Sequence, residues 1–138
     1  MIAFDTDILS ELIDGNPVYA QRANAIDILD QFVPVVVAEQ VLRGRLSAIR
    51  QAEARKGKVS LELAFSLFER SLNGIASYQI LSYSLAADAW FQQWRNKLRI
   101  GSQDLRIAAI CIVHGAKLVT RNARDFTQVP GLNLEVWN

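Results

Sequence analysis

The chain has 138 residues and a mass of 15.4 kDa, with 15 Lys and Arg, 14 Asp and Glu, and a hydrophobic fraction of 51%. This length and apolar content predict a single folded domain, 1–138, that needs neither disulfides nor a structural metal, and they exclude intrinsic disorder. The longest apolar run, Ile107–Val113, is far shorter than the roughly 20 residues of a membrane span. Since Met1–Ser10 also does not resemble a secretory signal, we expect a cytoplasmic protein that does not cross a membrane.

The pattern of apolar residues predicts alternating strands and helices along the whole chain. In chain order, the predicted elements are strand 2–4, a helix beginning near residue 7, helix 17–29, strand 32–37, helix 38–55, helix 61–72, strand 78–83, helix 85–98, helix 103–114, strand 117–120 and strand 132–137. Asn73 and Gly74 are expected to end one helix, and Gly115 to cap another. Because strands alternate with helices, we predict a three-layer α/β/α sandwich around a central, mainly parallel five-stranded sheet.

The charges are distributed unevenly along the chain. Residues 1–39 hold seven acidic residues against one base, Arg22, for a net charge of −6, whereas residues 40–138 carry +7. One cluster of basic residues stands out: Arg43, Arg45, Arg50, Arg55, Lys56 and Lys58. A cluster of this kind suits a phosphate-binding surface, and it equally suits a helix face that is simply solvated.

Several acidic residues fall where a parallel sheet binds its ligands, at the carboxyl ends of the strands. The predicted strands place Asp5, Glu39 and the loop 122–125 at this edge, and Asp104 lies near a helix start. Converging carboxylates repel one another, and a hard divalent cation relieves that repulsion, so we expect Mg²⁺ or Mn²⁺. With one His and one Cys in the chain, a His-rich zinc site or a Cys cluster is excluded.

Four short blocks around these acids resemble the PIN domain family in order and spacing, and the whole chain is similar to VapC-type toxins. The blocks are Ile2-Ala3-Phe4-Asp5-Thr6-Asp7-Ile8-Leu9-Ser10, Val36-Val37-Ala38-Glu39-Gln40-Val41-Leu42-Arg43-Gly44, Gly101-Ser102-Gln103-Asp104-Leu105-Arg106-Ile107-Ala108-Ala109 and Leu118-Val119-Thr120-Arg121-Asn122-Ala123-Arg124-Asp125-Phe126. The closing Val129-Pro130-Gly131-Leu132 and Trp137 extend the likeness. Each block alone is unspecific, but four in order make chance an unsatisfactory explanation.

The resemblance implies a metal-dependent endoribonuclease that leaves 5′-phosphate and 3′-hydroxyl ends. Asp5 and Asp104 match the family's metal ligands, and Glu39 matches the acid that completes the pocket. Many members carry a fourth acid, an Asp, where this chain has Asn122. Asp125, three residues further on, is therefore a further candidate for this acidic role. The substitution at position 122 removes one negative charge, which weakens the case for a second metal ion.

Other residues near these acids are expected to support the substrate. Thr6 and Asn122 offer hydrogen-bonding groups beside the acids, and Arg43 and Arg121 are candidates to hold flanking phosphates of RNA. The family resemblance further implies a cognate antitoxin that covers the acidic crevice with a segment bearing a basic residue, and a homodimer.

Each of these residues also has a purely structural interpretation. Asp7 suits an N-cap of the first helix, Glu39 and Arg43 suit a surface ion pair one helical turn apart, and Asp104 suits a helix N-terminus. Two other functions remain open. Phe4-Asp5-Thr6-Asp7 is similar to the opening of haloacid-dehalogenase-type phosphatases, and a PIN-like module could bind RNA or protein without cutting.

Overall fold

The computed structural model describes all residues, 1–138, and contains seven α-helices and five strands. In chain order these are β1 (Ile2–Phe4), α1 (Thr6–Ile13), α2 (Pro17–Asn24), a 3₁₀ turn (Ile28–Asp30), β2 (Gln31–Pro34), α3 (Val35–Glu53), α4 (Leu61–Ala76), β3 (Gln79–Leu81), α5 (Leu85–Trp94), α6 (Ser102–His114), β4 (Lys117–Thr120), α7 (Ala123–Phe126) and β5 (Leu134–Val136).

The five strands form one sheet in the order β3-β2-β1-β4-β5, and every neighbouring pair is parallel. β1 lies at the centre, where Phe4 pairs with Val119 of β4. Helices cover the sheet, with α3 packed on α4 and α5 packed on α6. The predicted α/β sandwich is confirmed, and the sheet is wholly rather than mainly parallel. Because parallel strands are buried on both faces, β1 is wholly apolar and β4 is buried from Leu118 to Thr120.

The boundary between β2 and α3 was predicted three residues too late. The β-branched run at residues 35–37 suggested that the strand continues to residue 37, but β2 ends at Pro34 and α3 begins at Val35. Pro34 has no N–H to give to a strand partner and already has a φ of −58° that suits the residue before a helix. Val37 is buried in the core as a residue of α3, so tertiary packing outweighs its strand propensity.

Helix α4 continues through Asn73 and Gly74 to Ala76, contrary to the predicted end near residue 72. Gly74 has another role, because a Cβ there would lie only 2.8 Å from Cγ1 of Ile13. The missing side chain therefore lets α4 approach α1 closely. Four further predicted elements are shorter than expected: α2 stops at Asn24, α5 stops at Trp94, β3 spans only Gln79–Leu81, and β5 spans only Leu134–Val136.

The end of α6 matches its prediction. Gly115 follows the helix with a φ of 66°, a left-handed conformation that glycine adopts without strain. His114 is the last helical residue, as expected, and Cys111 is buried in the core as a free thiol whose pKa burial raises to about 12. No helix of the fold combines the length and apolar character needed to span a bilayer.

Candidate active site

Asp5 lies where the central strand β1 ends and α1 begins. Its backbone N–H donates to the carbonyl oxygen of Val119 at 2.9 Å, which extends the pairing of β1 with β4 by one residue. Asp5 is also the N-cap of α1, and its Oδ1 accepts from the N–H of Thr6 at 2.8 Å. The interpretation of Asp7 as the cap is therefore wrong, since Asp7 lies within the first turn and is exposed.

The second carboxylate oxygen of Asp5 is held by β4. Oδ2 accepts a hydrogen bond of 2.6 Å from the hydroxyl of Thr120, and both side chains are buried, Asp5 with 7% of its surface exposed. Burial raises the pKa of Asp5, and this effect outweighs the lowering by the bonds from Thr120 and Thr6. Two hydrogen-bond donors hold the Asp5 carboxylate, so this group is rigid. No cationic side chain forms an ion pair with it, although it is buried.

Asp104 lies in the first turn of α6 and is partly buried. Its pKa is raised to about 6, first by burial and then by the negative charges of Asp5, Asp125 and Asp7. These acids therefore act on one another, although they come from three separate parts of the chain. Of the predicted acidic site residues, Asp5, Asp104 and Asp125 lie close enough for their charges to interact, and Asp7 also acts on Asp104. We call these four residues the acidic cluster.

The loop after β4 joins this cluster through Thr120. The hydroxyl of Thr120 accepts from the N–H of Asn122 at 2.9 Å, and the Asn122 amide Nδ2 donates to Oδ2 of Asp125 at 3.1 Å. The amide of Asn122 thus orients Asp125. An acidic residue at position 122 would instead add a negative charge that repels Asp125. Thr120 was not singled out from the sequence, although a polar residue ending a buried apolar strand was the same signal that identified Asp5.

Thr6 links the cluster to helix α3. Its hydroxyl forms a short hydrogen bond with Oε1 of Gln40, so the predicted supporting role of Thr6 acquires a partner that sequence reasoning missed. Gln40 carries no charge and follows Glu39 directly, so no feature of the sequence distinguishes it as a site residue.

Glu39 is not brought into the acidic cluster. The early start of α3 places Glu39 in the second turn of the helix, where it is exposed and ion-paired with Arg43. The expectation that a strand ends just before Glu39 is therefore wrong, and the surface ion pair is present. Arg43 is correspondingly occupied by Glu39 in this structure.

Arg121 lies at the edge of the cluster. Its Nη1 is 3.6 Å from Oε1 of Glu11 and 3.5 Å from the hydroxyl of Tyr19, and the guanidinium sits 5.7 Å from the centre of the Tyr19 ring. Its positive charge also lowers the pKa of Asp5, although less than the hydrogen bonds from Thr120 and Thr6 do. Arg121 is therefore placed to meet an anion that approaches Asp5.

The oxygen-only donor set of the cluster suits a hard divalent cation. The raised pKa of Asp104, caused partly by neighbouring carboxylates, is the like-charge repulsion that such an ion relieves. As the side chains stand, no three acidic groups converge on one point. The residues fit a divalent cation in their chemistry, and their side chains must move before three of them surround one ion.

The chain matches the PIN domain family over residues 2–132. The protein therefore belongs to the PIN domain family. Two relatives are "Ribonuclease VapC1" and "Ribonuclease VapC2" of Rickettsia felis, which are 33% identical over 72 residues and 32% identical over 69 residues. These matches cover 52% and 46% of this chain, and 54% and 52% of the relatives. The matched segment thus spans about half the length of each relative.

Solved structures share the fold over nearly the whole chain. The complex VapBC2 from Rickettsia felis, bound to a DNA fragment from its promoter, superposes with a TM-score of 0.76 at 23% identity and covers 100% of both chains. FitAcB from Neisseria gonorrhoeae has a TM-score of 0.77 at 20% identity and covers 100% of this chain and 97% of the other. The resemblance to PIN domains is confirmed, with distant homology to VapC ribonucleases. The likeness to haloacid-dehalogenase-type phosphatases is limited to Phe4-Asp5-Thr6-Asp7.

Proposed function

We propose that this protein is a metal-dependent endoribonuclease and the toxin of a type II toxin–antitoxin system. The observation that carries the proposal is the acidic cluster at the carboxyl edge of the sheet, where the pKa of Asp104 is raised to about 6 by burial and by its acidic neighbours. Strongly perturbed carboxyls gathered at a ligand-binding edge are typical of catalytic sites. The distant homology to VapC ribonucleases supports the same reaction class.

Asp5 and Asp104 would hold the ion, Mg²⁺ or Mn²⁺, and Asp125 would add a third carboxylate. When bound, such an ion supplies Lewis-acid stabilisation of the phosphate and acidifies a water molecule. The chain's own residues orient the carboxylates that would bind the ion. Thr120 fixes Oδ2 of Asp5 and Asn122 fixes Oδ2 of Asp125, so both groups are organised before substrate arrives.

The attacking water needs a carboxylate to orient it, and two acids are available. Asp104 is the better placed, because it lies within the acidic cluster, where the charges of Asp5 and Asp125 act on it. Glu39 would have to leave Arg43 and turn towards the cluster. That movement has a small energetic cost, because an exposed ion pair contributes only about 0–1 kcal/mol.

Arginine side chains beside the cluster would hold the RNA backbone. Arg121 already contributes positive charge near Asp5, and Arg43 becomes available when Glu39 turns away. Contacts between arginine and phosphate release counterions, so affinity for RNA should fall as salt rises.

We further propose that an antitoxin covers this site. A shallow groove of about 440 Å³ runs along α3 beside Glu39, and its lining combines apolar and charged side chains: Val35, Ala38, Glu39, Leu42, Arg43, Leu46 and Arg50. An amphipathic segment with a basic residue fits this combination. Structural neighbours of the chain include toxin–antitoxin complexes, which supports such a partner.

A homodimer is the second proposed assembly. On α5, Leu85 is 91% exposed and Trp90 is 38% exposed, although Phe91 and Trp94 of the same helix are buried. Exposed large apolar side chains on one helix are common at protein interfaces. Light scattering of the wild type and of Leu85→Lys tests this, since a dimer through α5 predicts a monomeric variant and an unchanged mass contradicts it.

The nuclease proposal is tested by incubating purified protein with a panel of end-labelled RNAs in Mg²⁺, Mn²⁺ or EDTA. Asp5→Asn, prepared identically, controls for contaminating nucleases. We expect cleavage only by the wild type with metal, and products with 5′-phosphate and 3′-hydroxyl ends. Cleavage by both proteins, or in EDTA, contradicts the proposal.

A second candidate is a PIN domain that binds RNA without cutting it. Asn122 at a position where many relatives carry an acid favours this function, because one ligand charge is missing. A binding module predicts no cleavage by the wild type and equal RNA affinity for the wild type and Asp5→Asn.

A further inference from the structure

A polar pocket of about 400 Å³ lies between α1 and α3, next to the acidic cluster. Apart from Val41, its lining is polar or glycine: Thr6, Ser10, Asp14, Gln40, Gly44 and Arg45. A volume of this size lies within the range of about 300–1,000 Å³ that is usual for small-ligand sites. None of the proposed metal ligands lines this pocket, so it is distinct from the acidic cluster.

Thr6 connects the pocket to the cluster. Its backbone N–H donates to Oδ1 of Asp5, while its hydroxyl bonds Gln40 inside the pocket. An RNA strand whose phosphate lies at Asp5 could place a neighbouring nucleotide beside Thr6. The pocket is an open depression that such a nucleotide could enter.

The charges of the pocket favour an uncharged ligand. Arg45 is held in place, because its Nε donates to Oγ of the fully buried Ser71 at 3.0 Å and its Nη2 lies 3.6 Å from Oδ1 of Asp14. Asp14 also contacts Arg70 at 3.7 Å. Among the residues that line the pocket, the charges of Asp14 and Arg45 cancel, and Arg70 adds a positive charge just outside the lining. A phosphate placed in the pocket would meet the carboxylate of Asp14.

The polar groups of the pocket suit the edge of a nucleobase. Arg45 donates, Asp14 accepts, and Ser10 and the amide of Gln40 do both. Sequence-specific proteins read single-stranded RNA by turning unstacked bases into pockets and hydrogen-bonding their edges. A neutral, planar ligand with donors and acceptors on one edge can pair with groups of this kind.

Gly44 keeps the pocket open. It lies within α3, where glycine costs about 0.5–1 kcal/mol relative to alanine, yet its backbone has an ordinary helical φ and an added Cβ would meet nothing within 4 Å. Neither backbone conformation nor packing inside the protein thus requires glycine. The one effect of a larger side chain that the structure shows is the loss of space in the pocket.

From these observations we propose that the pocket between α1 and α3 binds one nucleobase of a single-stranded RNA substrate, next to the phosphate that is cut. The inference rests on the proposed ribonuclease function and deepens it. Gln40 and Ser10, with the Asp14–Arg45 pair, are then residues that determine which base is preferred.

The test measures RNA binding separately from cleavage. In the Asp5→Asn background, Gly44→Leu is compared with the matched control Gly44→Ala, using fluorescence anisotropy with short RNAs that differ at one position. Alanine leaves most of the pocket, whereas leucine fills it. We expect Gly44→Leu to weaken binding by roughly tenfold or more, about 1.4 kcal/mol, and to abolish the difference in affinity between bases. Circular dichroism confirms that each variant is folded.

A second variant protects the test against misfolding of Gly44→Leu. Gln40→Ala should retain RNA binding but change the order of base preference. Equal affinity and equal preference in Gly44→Leu and Gly44→Ala overturn the inference. So does a result in which Gly44→Leu blocks a cognate antitoxin but not RNA, because the pocket then belongs to the protein partner.

The two proposals can fail separately. If the wild type cuts RNA and Gly44→Leu matches Gly44→Ala, the nuclease stands and the base pocket is wrong. If the wild type never cuts but Gly44→Leu removes base-selective binding, the pocket stands and the nuclease is wrong. Absence of RNA binding in every variant overturns both.

Discussion

The hydroxyl of Thr120 donates to Oδ2 of Asp5 at 2.6 Å, across 115 positions of sequence. The contact follows from the sheet, because β1 and β4 are parallel neighbours and Phe4 pairs with Val119, the residues directly before the two. Two polar side chains thus end adjacent buried strands at the same edge. The same hydroxyl accepts from the N–H of Asn122, so Thr120 ties the central acid to the loop that carries Asp125.

Thr120→Val tests this arrangement. Valine keeps the shape of threonine but leaves Oδ2 of Asp5 and the N–H of Asn122 without their partner. We expect the free energy of unfolding to fall by about 1–3 kcal/mol, and the pKa of Asp5 to rise further. Urea denaturation measures the first effect, and NMR titration of the Asp5 carboxyl measures the second.

Thr120→Ser is the matched control, because it retains the hydroxyl and loses only a methyl group. We expect its Asp5 pKa to stay close to that of the wild type. If Thr120→Val and Thr120→Ser titrate alike, the hydroxyl does not control Asp5.

Asp104→Asn should stabilise the metal-free protein near neutral pH. The pKa of Asp104 is raised from 3.8 to about 6, so the folded state holds this proton more tightly than the unfolded chain, and stability is lost as pH rises through that interval. In EDTA at about pH 7.5 we expect a gain on the order of 1 kcal/mol after solvent screening, and almost none at about pH 3.5. Urea denaturation at the two pH values measures both.

Asp30→Asn is the control for this experiment, since Asp30 is an exposed acid in the 3₁₀ turn. It should give no comparable gain at either pH. A loss of stability in Asp104→Asn at about pH 7.5 contradicts the repulsion between Asp104 and its acidic neighbours.

Asn122→Asp restores the acid that many PIN domains carry. Without metal, the new carboxylate repels Asp125 and removes the amide that now donates to it, so we expect lower stability in EDTA. With Mg²⁺ the added charge should tighten binding by roughly tenfold, since ligand charge tunes the affinity of such sites. Calorimetry measures the affinity, with Asn73→Asp on α4 as an exposed control; an affinity unchanged in both excludes residue 122 from the metal site.

Gly44→Ala should stabilise the protein by about 0.5–1 kcal/mol, because alanine is the better helix former and the added methyl meets no atom. Gly74→Ala is the matched control on α4. There the methyl would collide with Ile13, and overpacking should cost about 1–3 kcal/mol. Thermal unfolding distinguishes the two, and destabilisation by both substitutions would mean that α3 has less room than the structure indicates.

The sequence predicted best those elements whose local and tertiary preferences agree. Strand β4 was predicted with its observed ends, because a glycine cap precedes it and its run of buried residues is short. The predictions for the end of β2 and for the length of α4 were wrong for the same reason, because tertiary packing outweighed the local sequence preference at both places. Val37 is buried from a helix despite its strand propensity, and Gly74 serves a close approach of α1 rather than a helix end.

The site was predictable where an acid follows a buried strand and where the family likeness names it. Asp5 and Asp125 lie close enough to Asp104 for their charges to raise its pKa, and the roles of these three acids stay predictions. Glu39 does not join them, because α3 begins earlier than its β-branched residues suggest. The contributions of Thr120 and Gln40 depend on register and on a contact between helices, which no local pattern reveals.

The central claim is that Asp5 and Asp104 act together in one metal-dependent site that cuts RNA. The most direct measurement is the cleavage rate of one RNA substrate against Mg²⁺ concentration, for the wild type, Asp5→Asn and Asp104→Asn. We predict a rate that rises with Mg²⁺ and saturates for the wild type, and a loss of roughly 100-fold or more in each variant. Cleavage that persists in EDTA, or a wild-type rate in either variant, would contradict the account.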